Sequence, residues 1–328
     1  MKLLRGISGF VIRRLLLGVL TLFVVSIVIF AATQALPSDP AKAILGKTAT
    51  PDALAALREQ LGRNRSVPWQ YWSWLSGFVT GDFGESLAAG EPVCCSKSSS
   101  LLGSRIENSA FLVLVAALIS IPLSILIGAM SARRRDGPFD HAMSVVTLAL
   151  AALPEFVVGI TFVVLFGTVV WLLLPPVALI PPDSAPWHYP KELVLPTLTL
   201  VVAVVPYISR IMRASMVEVL ESDYVEMARL KGLSERKVVW RHALPNALGP
   251  TIQVIALNLA YLAGGIVVVE FVFQYAGIGA ALVDAVHNQD LPVVQALAMI
   301  IAGIYVVLNL IADVVTILIT PRLRTSLS

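Results

Sequence analysis

Charge is scarce in this chain. Of its 328 residues only 14% are Asp, Glu, Lys or Arg, and 57% are hydrophobic, whereas a soluble domain carries about 25% charged residues. The mean hydropathy is +0.83, and several apolar runs are long enough to cross roughly 30 Å of hydrocarbon. An ordinary soluble domain is excluded, and an integral membrane protein is indicated. Cysteine is nearly missing as well: the only two, Cys94 and Cys95, are adjacent. Neighbouring cysteines close only a strained, easily reduced ring, so no disulfide framework is expected. The four histidines, His141, His188, His242 and His287, are scattered, and no spacing gathers a metal-ligand set. A phosphate-binding glycine loop is also lacking. Gly46-Lys47-Thr48 imitates the end of one, but Ala41 stands where the required earlier glycine belongs. The chain is therefore not expected to hydrolyse ATP by itself.

Six apolar runs are present, at residues 15–35, 111–132, 143–174, 193–211, 248–269 and 293–319. They predict an all-α membrane protein with six transmembrane helices. A long external loop follows the first span, and a charged cytoplasmic loop separates spans four and five. The third run exceeds what one span needs, which predicts a tilted or broken helix. Sixteen of the 24 Lys and Arg fall in the N-terminal segment, the C-terminal tail and the loops of one side. By the positive-inside tendency, both termini lie in the cytoplasm. Arg133-Arg134-Arg135, directly after the second run, is the strongest single marker. Residues 1–36 begin basic and turn apolar as a signal peptide does. Their apolar run is too long for one, and Ala31-Ala32 is a weak cleavage site, so a retained anchor is expected. The organisation is then an anchor at 1–36, an external loop subdomain at 37–108 and a five-helix core at 109–328.

The external loop is too long for a plain connector. Residues 51–62 read as a short helix with Asp52 as N-cap and Gly62 as its stop. Trp69, Tyr71, Trp72 and Trp74 follow, with Leu75 and Phe78. Such a cluster suits the membrane–water interface and equally suits packing within an external subdomain. Two acids fall inside the apolar runs, Glu155 after Pro154 and Asp313 in the sixth, while Glu270 falls just past the fifth. An acid deep in the bilayer costs roughly 2.5–3.5 kcal/mol and therefore needs a cavity or a polar partner. Glu155, with Pro154, is the candidate for lining a pathway; a structural role is the alternative for Glu155 and the preferred reading for Asp313. Pro122, Pro154 and Pro206 each free a backbone carbonyl inside a span, which is tolerated where the backbone is buried in protein or lines water.

The stretch EMARLKGLSERKVVWRHALP, Glu226 to Pro245, is foreign to this apolar setting, with eight of its twenty residues charged or histidine. Met216, Val219, Leu220, Tyr224, Met227 and Leu230 are spaced to share one helical face, with Glu218, Glu221, Asp223, Glu226 and Arg229 on the rest. Gly232 is placed to stop that helix. Ser234 is placed to cap a second short helix that Leu244-Pro245 would end. One apolar stripe flanked by mixed charge suits insertion into a groove on a partner. Resting on lipid headgroups is the alternative, and the acids weigh against it because anionic lipids would repel them.

Here the spacing matches a known motif. Glu226, Ala228, Gly232, Leu244 and Pro245 fit the E-A-A-x-x-x-G … I-x-L-P loop of membrane subunits of ATP-binding-cassette importers, with Met227 and His242 departing from the pattern. Further stretches resemble the dipeptide, oligopeptide and nickel permease branch: QYWSWL from Gln70, GDFGES from Gly81, DYV and ARLKGL around the loop, EFVFQYAGIGAALVDAVHNQDLPVVQ from Glu270, and PRLR from Pro321. The resemblance implies a coupling loop, residues 215–247, docked in a separate ATPase subunit. Glu226 would be its ionic contact, Ala228 a small residue allowing close approach, and Gly232 its turn. It also implies a homologous second permease subunit, two ATPase subunits, an external peptide-binding protein and a bacterial cell membrane. This chain would bind no cofactor or nucleic acid, with ATP and Mg on the partner subunits. Peptide is the leading cargo and nickel the alternative; an ion-coupled carrier working alone is the reading from another class.

Overall fold

The computed structural model describes residues 2–35, 50–60, 65–86, 93, 102–181 and 184–319. Every regular element among them is helical. In chain order these are α1 (Lys2–Ala35), α2 (Pro51–Gln60), α3 (Val67–Thr80), α4 (Gly103–Arg133), α5 (Pro138–Ala151) and α6 (Glu155–Phe162). They continue with α7 (Pro190–Leu220), α8 (Asp223–Leu230), α9 (Leu244–Phe273), α10 (Ile278–His287) and α11 (Leu291–Ile319). Four helices, α1, α4, α7 and α11, are long and apolar enough to cross a membrane. The α5–α6 pair and the run Glu235–Leu262 with Gly264–Phe273 bring the number to six if each bent pair is one span. Large apolar side chains along α1, such as Leu16 and Val19, are exposed, as expected where lipid is the solvent.

The centre of the bundle is α7, packed between α4 and α9; α9 also packs on α11, and α11 on α1. Leu112 and Ala116 of α4 meet Leu200, Val204 and Ile208 of α7 and Leu262, Ile266 and Phe273 of α9. Small residues let these backbones approach, in the manner of membrane helix pairs. A Cβ on Gly128 of α4 would lie 2.6 Å from both Met212 Cβ and Ser209 O of α7. A second cluster joins Ala129 and Ala132 to Met212, Met216, Val239 and Ala243 near the end of the bundle that carries α8. At that end the buried Asp140 carboxylate at the start of α5 accepts from Arg213 Nε and an Nη at 2.5 and 2.6 Å. Arg135 also pairs with Glu221 there. Asp313 of α11 pairs with Arg14 of α1 at 3.1 Å, which gives this intramembrane acid its polar partner.

The third apolar run is broken, one of the two forms expected of it: α5 and α6 meet at 103° around Pro154. Other expectations need correction. The helical structure of that run stops at Thr168, so residues 169–174 are not helical. Pro122 and Pro206, by contrast, sit inside the uninterrupted helices α4 and α7. Thr50, not Asp52, caps α2: its hydroxyl accepts from Ala53 N–H at 3.3 Å, and Asp52 lies in the first turn. The stop at Gly62, the Gly46–Thr48 stretch and both cysteines lie outside the described residues. The aromatic segment is α3, laid along α1. Tyr71 and Trp74 rings contact Phe30 at centroid distances of 5.4 and 5.8 Å, and Tyr71 shares a 2.8 Å hydrogen bond with Ser26. Trp69 and Trp72 remain exposed. GDFGES continues inward: Phe83 packs with Val93, Ile278 and Leu297, and Ser86 donates to the buried Asp290.

Candidate functional site

At one end of the bundle α8 stands as a separate helix. The chain leaves α7 at Leu220, turns through Glu221 and Ser222 and starts again at Asp223. The single amphipathic helix expected over 215–230 is thus two helices, and the turn changes which residues face inward. Val225 and Ala228 are buried against Val238, with Val219, Leu220 and Leu233 alongside. Tyr224, Met227 and Leu230, expected on the apolar face with Leu220, point outward and are 46%, 56% and 75% exposed. Glu226 is exposed between them. A large apolar side chain in water needs a covering partner when several occur together.

Gly232 ends α8 as expected. Its φ is +78°, a left-handed value that other L-residues adopt at a cost. Gly232 N–H donates to Arg229 O at 2.9 Å and Leu233 N–H to Ala228 O at 3.3 Å. This is the paired bonding of a Schellman terminus, with Leu233 packed back on the helix. Arg229 fastens the loop on its other side, donating to Leu220 O at 3.2 Å and to both oxygens of Glu235 at 3.3 and 3.0 Å. The hydrogen bond from the guanidinium to Glu235 raises Arg229 above its ordinary pKa. Ser234 has extended backbone, and its side chain makes no capping bond.

The second short helix does not end at Leu244-Pro245, contrary to expectation. One α-turn, Glu235–Lys237, widens into a π-helical stretch, Val238–Ala243, that runs straight into α9. Leu244 N–H bonds to Val239 O, five residues back. The wider turn leaves Pro245 at the first turn of α9, where its missing N–H breaks no bond. Leu244 packs on the Met212–Ala243 cluster, and Pro245 is exposed. Arg229 thus ties α8 to the end of α7, and α8 rests on the π-helical root of α9.

The second candidate lies at the α5–α6 break. Pro154 is the N-cap of α6 and Glu155 its first residue. With residues 150–153, Ala203, Tyr207 and Tyr261, they line a cavity of about 260 Å³. Glu155 Oε1 accepts from the Tyr261 hydroxyl, and the Tyr207 hydroxyl donates to Ala151 O at 3.3 Å. The latter satisfies one of the carbonyls that the break exposes, as a spanning segment requires. Gly265 lies one turn after Tyr261, and a Cβ there would come within 3.0 Å of both Glu155 oxygens.

Two family descriptions match the chain. Residues 124–325 match "Binding-protein-dependent transport system inner membrane component". Residues 7–110 match the N-terminal region of such membrane components. The chain belongs to this permease family. Relatives agree along its length. It is 37% identical over 316 residues to a probable peptide ABC transporter permease, y4tP, of Sinorhizobium fredii, covering 96% of this chain and 99% of that one. It is 35% identical over 318 residues to the glutathione transport system permease GsiC of Escherichia coli K12, again covering 96% and 99%. It is thus a permease component of an ABC importer, of the dipeptide, oligopeptide and nickel branch, and a protein of the cell membrane.

The permease also holds a polar centre that sequence reasoning passed over. Glu270 is not beyond the fifth span but within α9, one turn from its end, and fully buried. Its Oε1 accepts from Ser109 Oγ at 2.5 Å, and its Oε2 from Gly279 and Ala280 N–H at 2.6 and 3.3 Å. The carboxyl group therefore caps the N-terminus of α10, where backbone donors and the helix dipole favour it. Asn108 and Tyr275 add a reciprocal pair: Asn108 Nδ2 donates to Ala276 O and Tyr275 OH to Asn108 O, both at 2.8 Å. The signal in the sequence was the glycine pair that makes room, Gly277 and Gly279, seven and nine residues after the acid.

Proposed function

We propose that this permease forms half of the translocation pathway for peptides delivered by an external substrate-binding protein, and that α8 couples it to ATP hydrolysis on a separate subunit. The carrying observation is the outward face of α8. Tyr224, Met227 and Leu230 stand exposed around Glu226, on a helix held firmly by the Gly232 terminus and the Arg229 bonds. A short, rigid, partly apolar helix of this kind suits a cleft on a partner. Glu226 then supplies the ionic contact, while Ala228 and Gly232 act within the loop: the small Ala228 lets Val238 close against α8, and Gly232 turns the chain. Leu244 and Pro245 join the loop to α9.

ATP closes two ATPase subunits, the docked loops move with them, and the α7 and α9 ends carry the motion into the bundle. The assembly is a heterodimer with a homologous permease, with ATP and Mg bound on the ATPases and both termini of this chain cytoplasmic. Peptide is favoured over nickel because the similar permeases are named for peptide and for glutathione, itself a tripeptide. Pro154 and Glu155 line the pathway. Reconstitution with the neighbouring transport subunits and a loaded binding protein tests this reading. Uptake of labelled peptide that requires ATP is expected. Peptide uptake without any ATPase subunit, or no peptide uptake by the complete assembly, would contradict it.

A further inference from the structure

We propose that the Glu155 cavity is a transit site for a primary ammonium group, above all the protonated amino end of a passing peptide. This rests on the peptide reading above and names the chemical group that the pathway holds. The carboxylate is fixed and incompletely used. Tyr261 donates to Oε1, Gly265 leaves open the space where a Cβ would come within 3.0 Å of both oxygens, and among the described residues no basic side chain forms an ion pair with Glu155. Among the described residues that line the cavity, none is basic. An uncompensated carboxylate inside the span region calls for a cation that arrives from outside the chain.

The cavity walls select an ammonium rather than a bare metal ion. Tyr207 and Tyr261 are half-exposed, and the faces of their rings attract organic cations. Their hydroxyls are committed to Ala151 O and to Glu155, so a strongly coordinating oxygen cage is not on offer, whereas one free carboxylate oxygen and the carbonyls of the 151–153 break can accept N–H donors. The cavity, about 260 Å³, admits the end of a peptide and leaves the rest outside. Both tyrosines open to the surface of this chain, so a ligand held at Glu155 is not enclosed by this subunit, which suits passage rather than storage.

The test uses the complete reconstituted transporter with its binding protein. Uptake of tri-alanine, whose only cation is its amino end, is compared with uptake of Ala-Lys-Ala at equal amounts of assembled complex. Glu155→Gln keeps an acceptor for Tyr261 and removes the charge. It is expected to lower tri-alanine uptake about tenfold, the loss of one charge-assisted hydrogen bond, and Glu155→Asp to restore most of it. A loss confined to Ala-Lys-Ala would assign the site to the side-chain ammonium instead of the terminus. Gly265→Ala, which crowds both oxygens without changing charge, is the second variant and should lower tri-alanine uptake as well. Uptake unchanged in Glu155→Gln and Gly265→Ala, or equal losses in Gln and Asp, would overturn the proposal. If the unaltered assembly takes up no peptide, the peptide reading itself fails and takes this inference with it.

Discussion

A methyl group added at Gly277 tests the buried centre around Glu270. Gly277 has φ −110° and ψ −175°, an extended conformation that alanine adopts freely, so backbone strain contributes nothing. The new Cβ, however, would lie 2.1 Å from Glu270 Oε1 and 2.2 Å from its Cδ. Contacts that short cannot stand, and the carboxyl group must move by about 1 Å or more, losing Ser109 and the N–H groups of Gly279 and Ala280. A buried polar group stripped of its donors and a helix stripped of its cap together cost about 2–4 kcal/mol. Unfolding curves in mixed micelles, followed by tryptophan fluorescence, should show this loss in Gly277→Ala. The cause is isolated by a double-mutant cycle. In a Glu270→Ala background the clash has no partner, and adding Gly277→Ala should cost less than about 0.5 kcal/mol, the range of changes that disturb no specific feature. The same large cost in both backgrounds would refute the assignment of Gly277 to the Glu270 contact.

Gly232→Ala meets no neighbour within 4 Å, so only its left-handed φ is penalised, by about 1–2 kcal/mol; peptide uptake should fall while the amount of protein in the membrane stays near normal. Glu226→Lys reverses an exposed charge and should leave stability within about 0.5 kcal/mol while abolishing ATP-dependent uptake, measured in reconstituted vesicles. Arg213→Met leaves the buried Asp140 without its partner and should destabilise by about 3–5 kcal/mol, with partial recovery in Arg213→Met/Asp140→Asn, read by the same unfolding curves.

What could be read from the chain, and what could not, follows from the range of the forces involved. Gly232 and Pro154 were legible because a helix stop and a span break are written in one residue and its neighbours. The inward face of α8 was not. The periodic pattern runs unbroken through Glu221 and Ser222, and only the observed turn separates Tyr224, Met227 and Leu230 from Leu220. Pro245 signalled a helix end; the π-helical stretch before it removed the need for one, and no residue in 238–243 announces that wider turn. Asp140 and Arg213 lie 73 positions apart, and Ser109 and Glu270 161 apart, so their pairing depends on how α4, α5, α7 and α9 pack. The resemblance to importer permeases survived these errors because it rests on motif order along the chain, not on which face a side chain takes.

The most direct test is photo-cross-linking from α8 in intact cells. A photoreactive residue placed at Leu230, the most exposed apolar position of the helix at 75%, should yield an adduct with an ATPase subunit, and one at the buried Val225 should yield none. An adduct from Leu230 with phospholipid alone, in cells that are actively importing, would contradict the coupling role of α8.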